Sequence, residues 1–450
     1  MTLAASAAAP TFRFRRLDLA ARDPGTTATI RRLVRRGAVP DPVVRDGVRT
    51  ILDDVAARGG GAVRDASARF GGGLVDGRLL VPRQELEAAA GDLAPPVRRA
   101  LEQAIENVRS FAETQRPTST TTAIGPGLAI ERRWTPLRRV GCYVPGGSAP
   151  YPSSLIMTVV PARVAGVREI VVASPAAADG VVNSVLLGAA GLLGVDSLLV
   201  AGGAQAIGAF AFGLDDAGLE PVDRIVGPGN AWVTAAKIEV SGIVGIDLPA
   251  GPSEGMVLAD ATADPFIVAA DLVTQAEHGP DSPAILVTTD AALADAVDRE
   301  VAALLPRLER RAILERALRD HGWIALAPDR AAAIGFVNAY APEHLSIDVA
   351  DLESAVAGIE SAGSIFVGRW APESAGDYAT GANHVLPTGG LARSCGPLAV
   401  EAFGRYSQVQ RLDADGLNAI AATIRTLAEA EGLTAHRNAV DARFRGGPPR

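Results

Sequence analysis

The chain has 450 residues, 48% of them hydrophobic, with a formal net charge of −8 and an isoelectric point near 5.3. That length holds two or three domains around large cores, and the acidic balance leaves no basic stripe to neutralise phosphates, which argues against a nucleic-acid binder and for a metabolic enzyme. Cys142 and Cys395 are the only cysteines, too few for a disulfide framework, and residues 1–10 are Ala-rich without a basic or Leu-rich stretch, so a reducing, cytoplasmic setting is expected.

Residues 1–40 are Arg-rich and turn helical toward 31–36, a segment too short to bury much alone, so it is expected to pack on something else, such as a second subunit. Apolar residues at helical spacing predict helices over 41–58, 83–90 and 95–115, separated by Gly59-Gly60-Gly61 and Gly71-Gly72-Gly73. Residues 117–122 form a Pro/Ser/Thr cluster and read as a loop. A strand over 139–144 follows, then the turn-rich 145–150 and an apolar stretch over 154–163.

A unit then recurs: strands over 167–172, 195–200 and 222–226 begin 28 and 27 residues apart, each followed by a Gly/Pro turn and a helical stretch. Units of this length build a parallel sheet covered on both faces, with loops for ligands at the carboxyl ends of the strands. The uncharged run 197–214 is broken by Gly202-Gly203 and carries Gln205, so it fits a strand, turn and helix rather than a membrane span. The same alternation returns as strands over 256–258, 284–288, 323–327 and 364–367 and helices over 265–276, 291–304 and 330–340. Pro342 stops the last of these helices and delivers Glu343-His344 on a loop before a strand over 345–349. Helices over 416–428 and 431–442 make up most of a C-terminal segment too small to stand alone.

Glu343 beside His344 is a plausible pair of proton handlers, with a solvated loop histidine as the plain alternative. Of the five histidines, His278, His344, His384 and His436 fall in turn-bounded or cap-like contexts, whereas His321 reads as an ordinary helix C-terminal residue. Gln275 and His278 stand three apart at a helix end and face one side; with Asp377, in a Gly-bounded loop, and a second His they would make a zinc site with room for substrate. Spacing alone leaves a capping role for Asp377 and a surface role for His278 open. Cys142 is a rival thiolate nucleophile, set in an apolar strand where inert cysteines are commoner. The Gly-x-Gly-x-x-Gly fingerprint is absent, and Gly227-Pro228-Gly229-Asn230 comes nearest, so a nicotinamide cofactor would be held in another way. Lys237 is the only lysine among 43 basic residues, which removes a P-loop and leaves a Schiff-base mechanism one candidate.

Nine strings, in order, resemble the L-histidinol dehydrogenase family: Tyr143-Val-Pro-Gly-Gly-Ser-Ala-Pro150, Gly202-Gly-Ala-Gln-Ala-Ile207, Gly227-Pro-Gly-Asn230, Pro249-Ala-Gly-Pro-Ser-Glu254, Gln275-Ala-Glu-His-Gly-Pro-Asp-Ser282, Pro342-Glu-His344, Glu373-Ser-Ala-Gly-Asp-Tyr378, Asn383-His-Val-Leu-Pro-Thr388 and Leu433-Thr-Ala-His436. They span about 140–440; the first 40 residues carry little of the resemblance, and Phe403-Gly404-Arg405-Tyr406 departs from it. The resemblance implies zinc held by Gln275, His278, Asp377 and His436, and Glu343 and His344 as the acid/base pair. It implies substrate contacts from Ser253, His344, Asp377, Glu431 and the zinc ligands, and NAD contacts from Tyr143, Gln205 and Asn230. It further implies a homodimer in which Glu431 and His436 complete the other subunit's site. The expected reaction takes L-histidinol to L-histidine with two NAD reduced; relatives that oxidise other small diols, sulfonated ones included, leave a second substrate class.

The expected architecture is α/β: two Rossmann-like parallel-sheet domains with small N-terminal and C-terminal helical arms. The expected division is an N-terminal arm (1–40), a first Rossmann-like domain (41–142 plus 252–390) with the catalytic and metal residues, a second on the NAD side (143–251), and a C-terminal dimer arm (391–450). A non-catalytic nucleotide-binding protein on the same fold is the reading from another class.

Overall fold

The computed structural model describes residues 12–37, 40–146 and 150–445; the Ala-rich start and residues 147–149 of the turn-rich loop lie outside them. The strand Gly255–Ala259 is buried along its whole length, and its apolar run suits a strand covered on both faces. It lies inside a six-stranded, all-parallel sheet ordered Arg15–Asp18, Trp323–Leu326, Ala284–Thr288, Gly255–Ala259, His344–Asp348, Ser364–Val367. A second six-stranded sheet repeats the plan as Leu80–Pro82, Ser197–Val200, Glu169–Ser174, Arg139–Tyr143, Arg224–Val226, Gly245–Ile246, and only Leu80–Pro82 runs antiparallel.

In each sheet the chain adds strands to one side of a founding strand and then returns to its other side. The resulting switch points lie between Gly255–Ala259 and His344–Asp348 and between Arg139–Tyr143 and Arg224–Val226. Apolar cores fill both faces of both sheets: Leu272, Val297 and Leu314 oppose Phe336, Tyr340 and Ile347 around the first, and Leu155, Met157 and Leu186 oppose Ile207, Phe210 and Val233 around the second. Side-chain caps set several helix starts: Asp264 accepts from Phe266 N–H and Asp329 from Ala332 N–H.

Several expectations change. The helices Pro42–Arg58, Gly60–Phe70, Arg83–Gly91 and Pro95–Glu113 place Val48, Leu52, Val63, Leu86, Leu101 and Ile105 in the cores of the second sheet. Residues 41–142 therefore pack with 143–251, not with 252–390 as the sequence grouping had it; apolar spacing marks a buried face but not the sheet it meets. The N-terminal segment finds its partner within the same chain, where Arg15–Asp18 is an edge strand and Leu17 and Leu19 join the first sheet's core. The 117–122 loop expectation yields to the strand Thr120–Gly125, where β-branched threonines suit extended backbone. That strand pairs with Leu128–Pro136, which pairs with Gly404–Leu412, so the C-terminal arm is fastened by an antiparallel sheet before its helices Ala414–Ala430 and Thr434–Arg443. Among the described residues no helix is long and apolar enough to cross a membrane.

Candidate active site

The helix Arg330–Tyr340 ends as its sequence predicts, and Ala341 turns the chain through φ 53°, the one positive φ outside glycine among the described residues. Glu343 follows with its carboxylate buried, Oε2 accepting from Ser253 Oγ at 2.8 Å and from Glu254 N–H at 2.9 Å. His344 is the first residue of the next strand rather than part of a free loop, and it stands in register with Gly255 across the first switch point. Its Nδ1 lies 3.7 Å from Glu343 Oε2 and 4.0 Å from Glu373 Oε1, and both ring nitrogens are buried without a hydrogen-bond partner. Burial raises the Glu343 carboxyl above its ordinary range; the facing His344, the Glu254 N–H and Ser253 offset part of that rise. A buried imidazole with unengaged nitrogens beside a carboxyl of raised basicity is equipped to move protons.

The helix Pro265–Glu277 delivers Gln275 on its last turn and His278 at its C-cap. His278 Nε2 lies 3.0 Å from Glu373 Oε1 and 4.0 Å from Asp377 Oδ2, and the three residues offer donor atoms all within 4.8 Å of one another. Asp377 sits on the short helix Glu373–Tyr378, one turn after Glu373, rather than in the Gly-bounded loop its sequence suggested. Gln275 Nε2 donates to Ser253 Oγ at 3.4 Å, while its Oε1 is buried without a partner. Glycine at 255 is what admits that amide, since a Cβ there would stand 2.5 Å from Gln275 Oε1. The His278 and His344 rings stack at 6.1 Å and 10°, tying the two groups into one site.

Electrostatics sort these groups. Burial opposes charge on His278, but the hydrogen bond and charge of Glu373, with Asp377 and Glu343, outweigh it and push its pKa up to about 9. Burial would raise Glu373, yet His344 and His278 hold it below its ordinary value; Asp377 is raised by burial and by the Glu373 charge. His384 is driven down to about 4 by burial and is neutral, with Nδ1 3.0 Å from the Asp377 carbonyl and Nε2 3.3 Å from Ser154 Oγ. Sequence reasoning missed Glu373, His384 and Ser154 as site residues. Glu373 had a readable signal, one helical turn before Asp377, and His384 stood in a quoted string; Ser154 had none.

Ser154, Ser253, His278, Glu343, His344, Asp377 and His384 line a cleft of about 520 Å³ together with Pro145, Tyr151, Pro228, Gly229 and Thr388, with Gln275 and Glu373 buried outside its lining. Ser253, Glu343 and His344 come from the amino edge of the first sheet, whereas Pro145, Pro228 and Gly229 come from the carboxyl edge of the second, beside its switch point. The general expectation of ligand loops at carboxyl ends thus describes only one wall. Tyr143 is buried and its hydroxyl accepts from Gly203 N–H at 3.1 Å; Gln205 is buried on the next helix, and Asn230 caps the helix Ala231–Val240 through Trp232 N–H and Val233 N–H. All three lie along the carboxyl edge, outside the cleft lining, with Asn230 exposed. Lys237 is buried, paired with Asp247 and donating to the Gly227 carbonyl at 2.9 Å, while Asp247 accepts from Gly227 N–H at 2.7 Å. The only lysine therefore braces the 227–230 turn and is not placed for a Schiff base. Cys142 is fully buried and burial pushes its thiol up to about 12, which removes the nucleophile reading. Glu431 and His436 lie exposed at the junction and start of the two C-terminal helices and do not line the cleft of their own chain.

A buried Glu/His pair facing the switch point of a second parallel sheet across one cleft is a layout that suits an α/β oxidoreductase. The sequence matches the histidinol dehydrogenase family over residues 34–444. The chain belongs to that family of oxidoreductases. It is 46% identical over 431 residues to histidinol dehydrogenase of Leifsonia xyli subsp. xyli, covering 95% of this chain and 98% of that one. It is 48% identical over 402 residues to the Halobacterium salinarum histidinol dehydrogenase, covering 89% and 93%. The crystal structure of histidinol dehydrogenase from Elizabethkingia anophelis superposes with a TM-score of 0.87 at 35% identity, covering 96% and 98%.

Proposed function

We propose that this protein oxidises L-histidinol to L-histidine through L-histidinaldehyde held in the cleft, consuming one water and reducing two NAD, as the last two steps of histidine biosynthesis in the cytoplasm. The observation that carries this reading is the Glu343/His344 pair on the amino edge of one sheet, opposite the 227–230 turn on the carboxyl edge of the other. Family membership supports the substrate.

Zinc fits the donor set: Gln275 Oε1 is a buried oxygen with no partner on the helix end that also carries His278, and His278 and Asp377 present an imidazole and a carboxylate on the cleft wall. Gln275, His278, Asp377 and His436 of the partner subunit would hold it, with Glu373 beside them against the His278 Nε2 that also faces Asp377. When bound, zinc would help position the imidazole and amine of the substrate, and NAD would supply the hydride acceptor for each oxidation. Tyr143, Gln205 and Asn230 would contact the NAD, on the side of the second switch point.

His344 takes the alcohol proton as the first hydride leaves. Glu343 then removes a proton from water as the water oxygen adds to the aldehyde carbon, and His344 returns its proton to the aldehyde oxygen, which gives the gem-diol and frees the imidazole. His344 takes one diol proton as the second hydride leaves, giving the carboxylic acid, which releases its remaining proton to solvent and leaves as the carboxylate. Ser253 and Asp377 bind the end of the substrate that does not react, with Glu431 of the partner subunit, so the aldehyde stays bound between the two oxidations. The test is a steady-state count of NADH per L-histidinol, with and without a chelator. Two NADH per substrate, abolished by zinc removal and restored by zinc, is the expected result; one NADH with free aldehyde released would overturn the reading.

A further inference from the structure

The N-terminal segment has no role in the reaction above, yet Arg36 reaches the back of the site. Its guanidinium forms a fork on Glu254, Nε to Oε2 at 2.7 Å and Nη2 to Oε1 at 2.5 Å. The same group donates from Nη1 to the Tyr340 carbonyl at 2.6 Å and from Nη2 to the Ala341 carbonyl at 3.3 Å, and lies 3.3 Å from the centre of the Tyr340 ring. Arg393 takes the neighbouring Ala339 carbonyl at 2.5 Å and ties it to Val34 O at 2.9 Å.

The last carbonyls of a helix have no partner within it, and cations are favoured there. Here three consecutive ones, at 339, 340 and 341, are taken by two arginines. The chain then turns at Ala341 through a φ that alanine rarely adopts, and two residues later it presents Glu343 and His344. Glu254 holds that pair from the other side: its N–H donates to Glu343 Oε2 at 2.9 Å and its carbonyl accepts from His344 N–H at 3.2 Å. Arg36 thus grips both supports of the pair at once, the 340–341 backbone and Glu254. A lysine has one point charge and cannot bridge a bidentate carboxylate and two carbonyls in this fixed geometry.

We propose that Arg36 is a positioning residue for the reaction, fixing the Ala341 turn and Glu254 so that Glu343 and His344 keep their attack geometry. This rests on the reading of those two residues as the proton carriers. The experiment uses the full-length, zinc-loaded enzyme with Arg36→Met and Arg36→Lys, measuring kcat, KM for histidinol, zinc content, and hydrogen–deuterium exchange over residues 340–346. Arg36→Met lowers kcat about 100-fold, the size of effect expected for a reacting group displaced by about an ångström. Arg36→Lys lowers it about tenfold, while KM and zinc content stay within about threefold in both. Exchange over 340–346 accelerates in both variants. An unchanged kcat, a loss confined to KM or zinc content, or unchanged exchange would overturn the proposal. If the Met variant does not fold, the Lys variant decides. If the unmodified enzyme makes no NADH from histidinol, the functional reading has failed, and the exchange measurement alone then decides whether Arg36 holds the turn.

Discussion

Glu343 and His344 are adjacent in sequence but meet different surroundings. The carboxylate is pinned by Ser253 and the Glu254 N–H, whereas the imidazole nitrogens are left free. That contrast separates their roles, because only an unengaged base can take protons twice in one catalytic cycle. His344→Asn should therefore abolish both oxidations, by about 10²–10⁴-fold as for a lost general base. Glu343→Gln should spare the first hydride transfer and stall before the second. In a single-turnover experiment with the Gln variant, one NADH per site forms and histidine does not; prompt formation of two would remove Glu343 from the water step.

At the scale of elements, the helix Pro265–Glu277 buries Gln275 and leads His278 to the cleft, and one turn before Gln275 it carries an unfavourable site. Burial, then the charges of Glu373 and Asp348, push Asp271 up to about 7 from a starting value of 3.8. The folded state therefore holds this proton more tightly than the unfolded chain. Its contribution to stability falls as pH rises between those two values and stays low above the higher one. Asp271→Asn removes the titration, so the variant should gain melting temperature over the parent at pH 8 and lose most of that gain at pH 5. An equal difference at both pH values would show that Asp271 is not held protonated by its surroundings.

For the whole molecule, the cleft is assembled from opposite edges of two sheets, and Glu431 and His436, exposed at the C-terminal helices, do not line it within one chain. If the site is completed across a homodimer, subunits carrying His344→Asn and subunits carrying His436→Asn are each inactive alone. Every hybrid dimer then has one site with both defects and one with neither, so an equal mixture refolded together recovers about a quarter of the parental activity. No recovery from verified hybrids would mean that each subunit builds its site alone.

Local physics made much of this legible in the sequence. Pro342 ended the helix Arg330–Tyr340 at the residue expected, and Ala284–Thr288, Ala291–Leu304 and Ser364–Val367 were readable to their ends, because runs of apolar spacing and turn residues act between neighbours in the chain. The quoted strings likewise pointed to Glu343, His344, Gln275, His278 and Asp377. What the sequence could not contain was which surfaces meet. Helices at 42–113 carry an apolar face suited to either sheet, and only packing assigned them to the second. Glu373 against His278, Arg36 against Glu254 and Lys237 against the Gly227 turn join residues whose spacing has no period, so they exist only once the strands and helices of their own sheet have packed. Short-range preference determined the elements; burial of each sheet between its own helices decided which charges face one another.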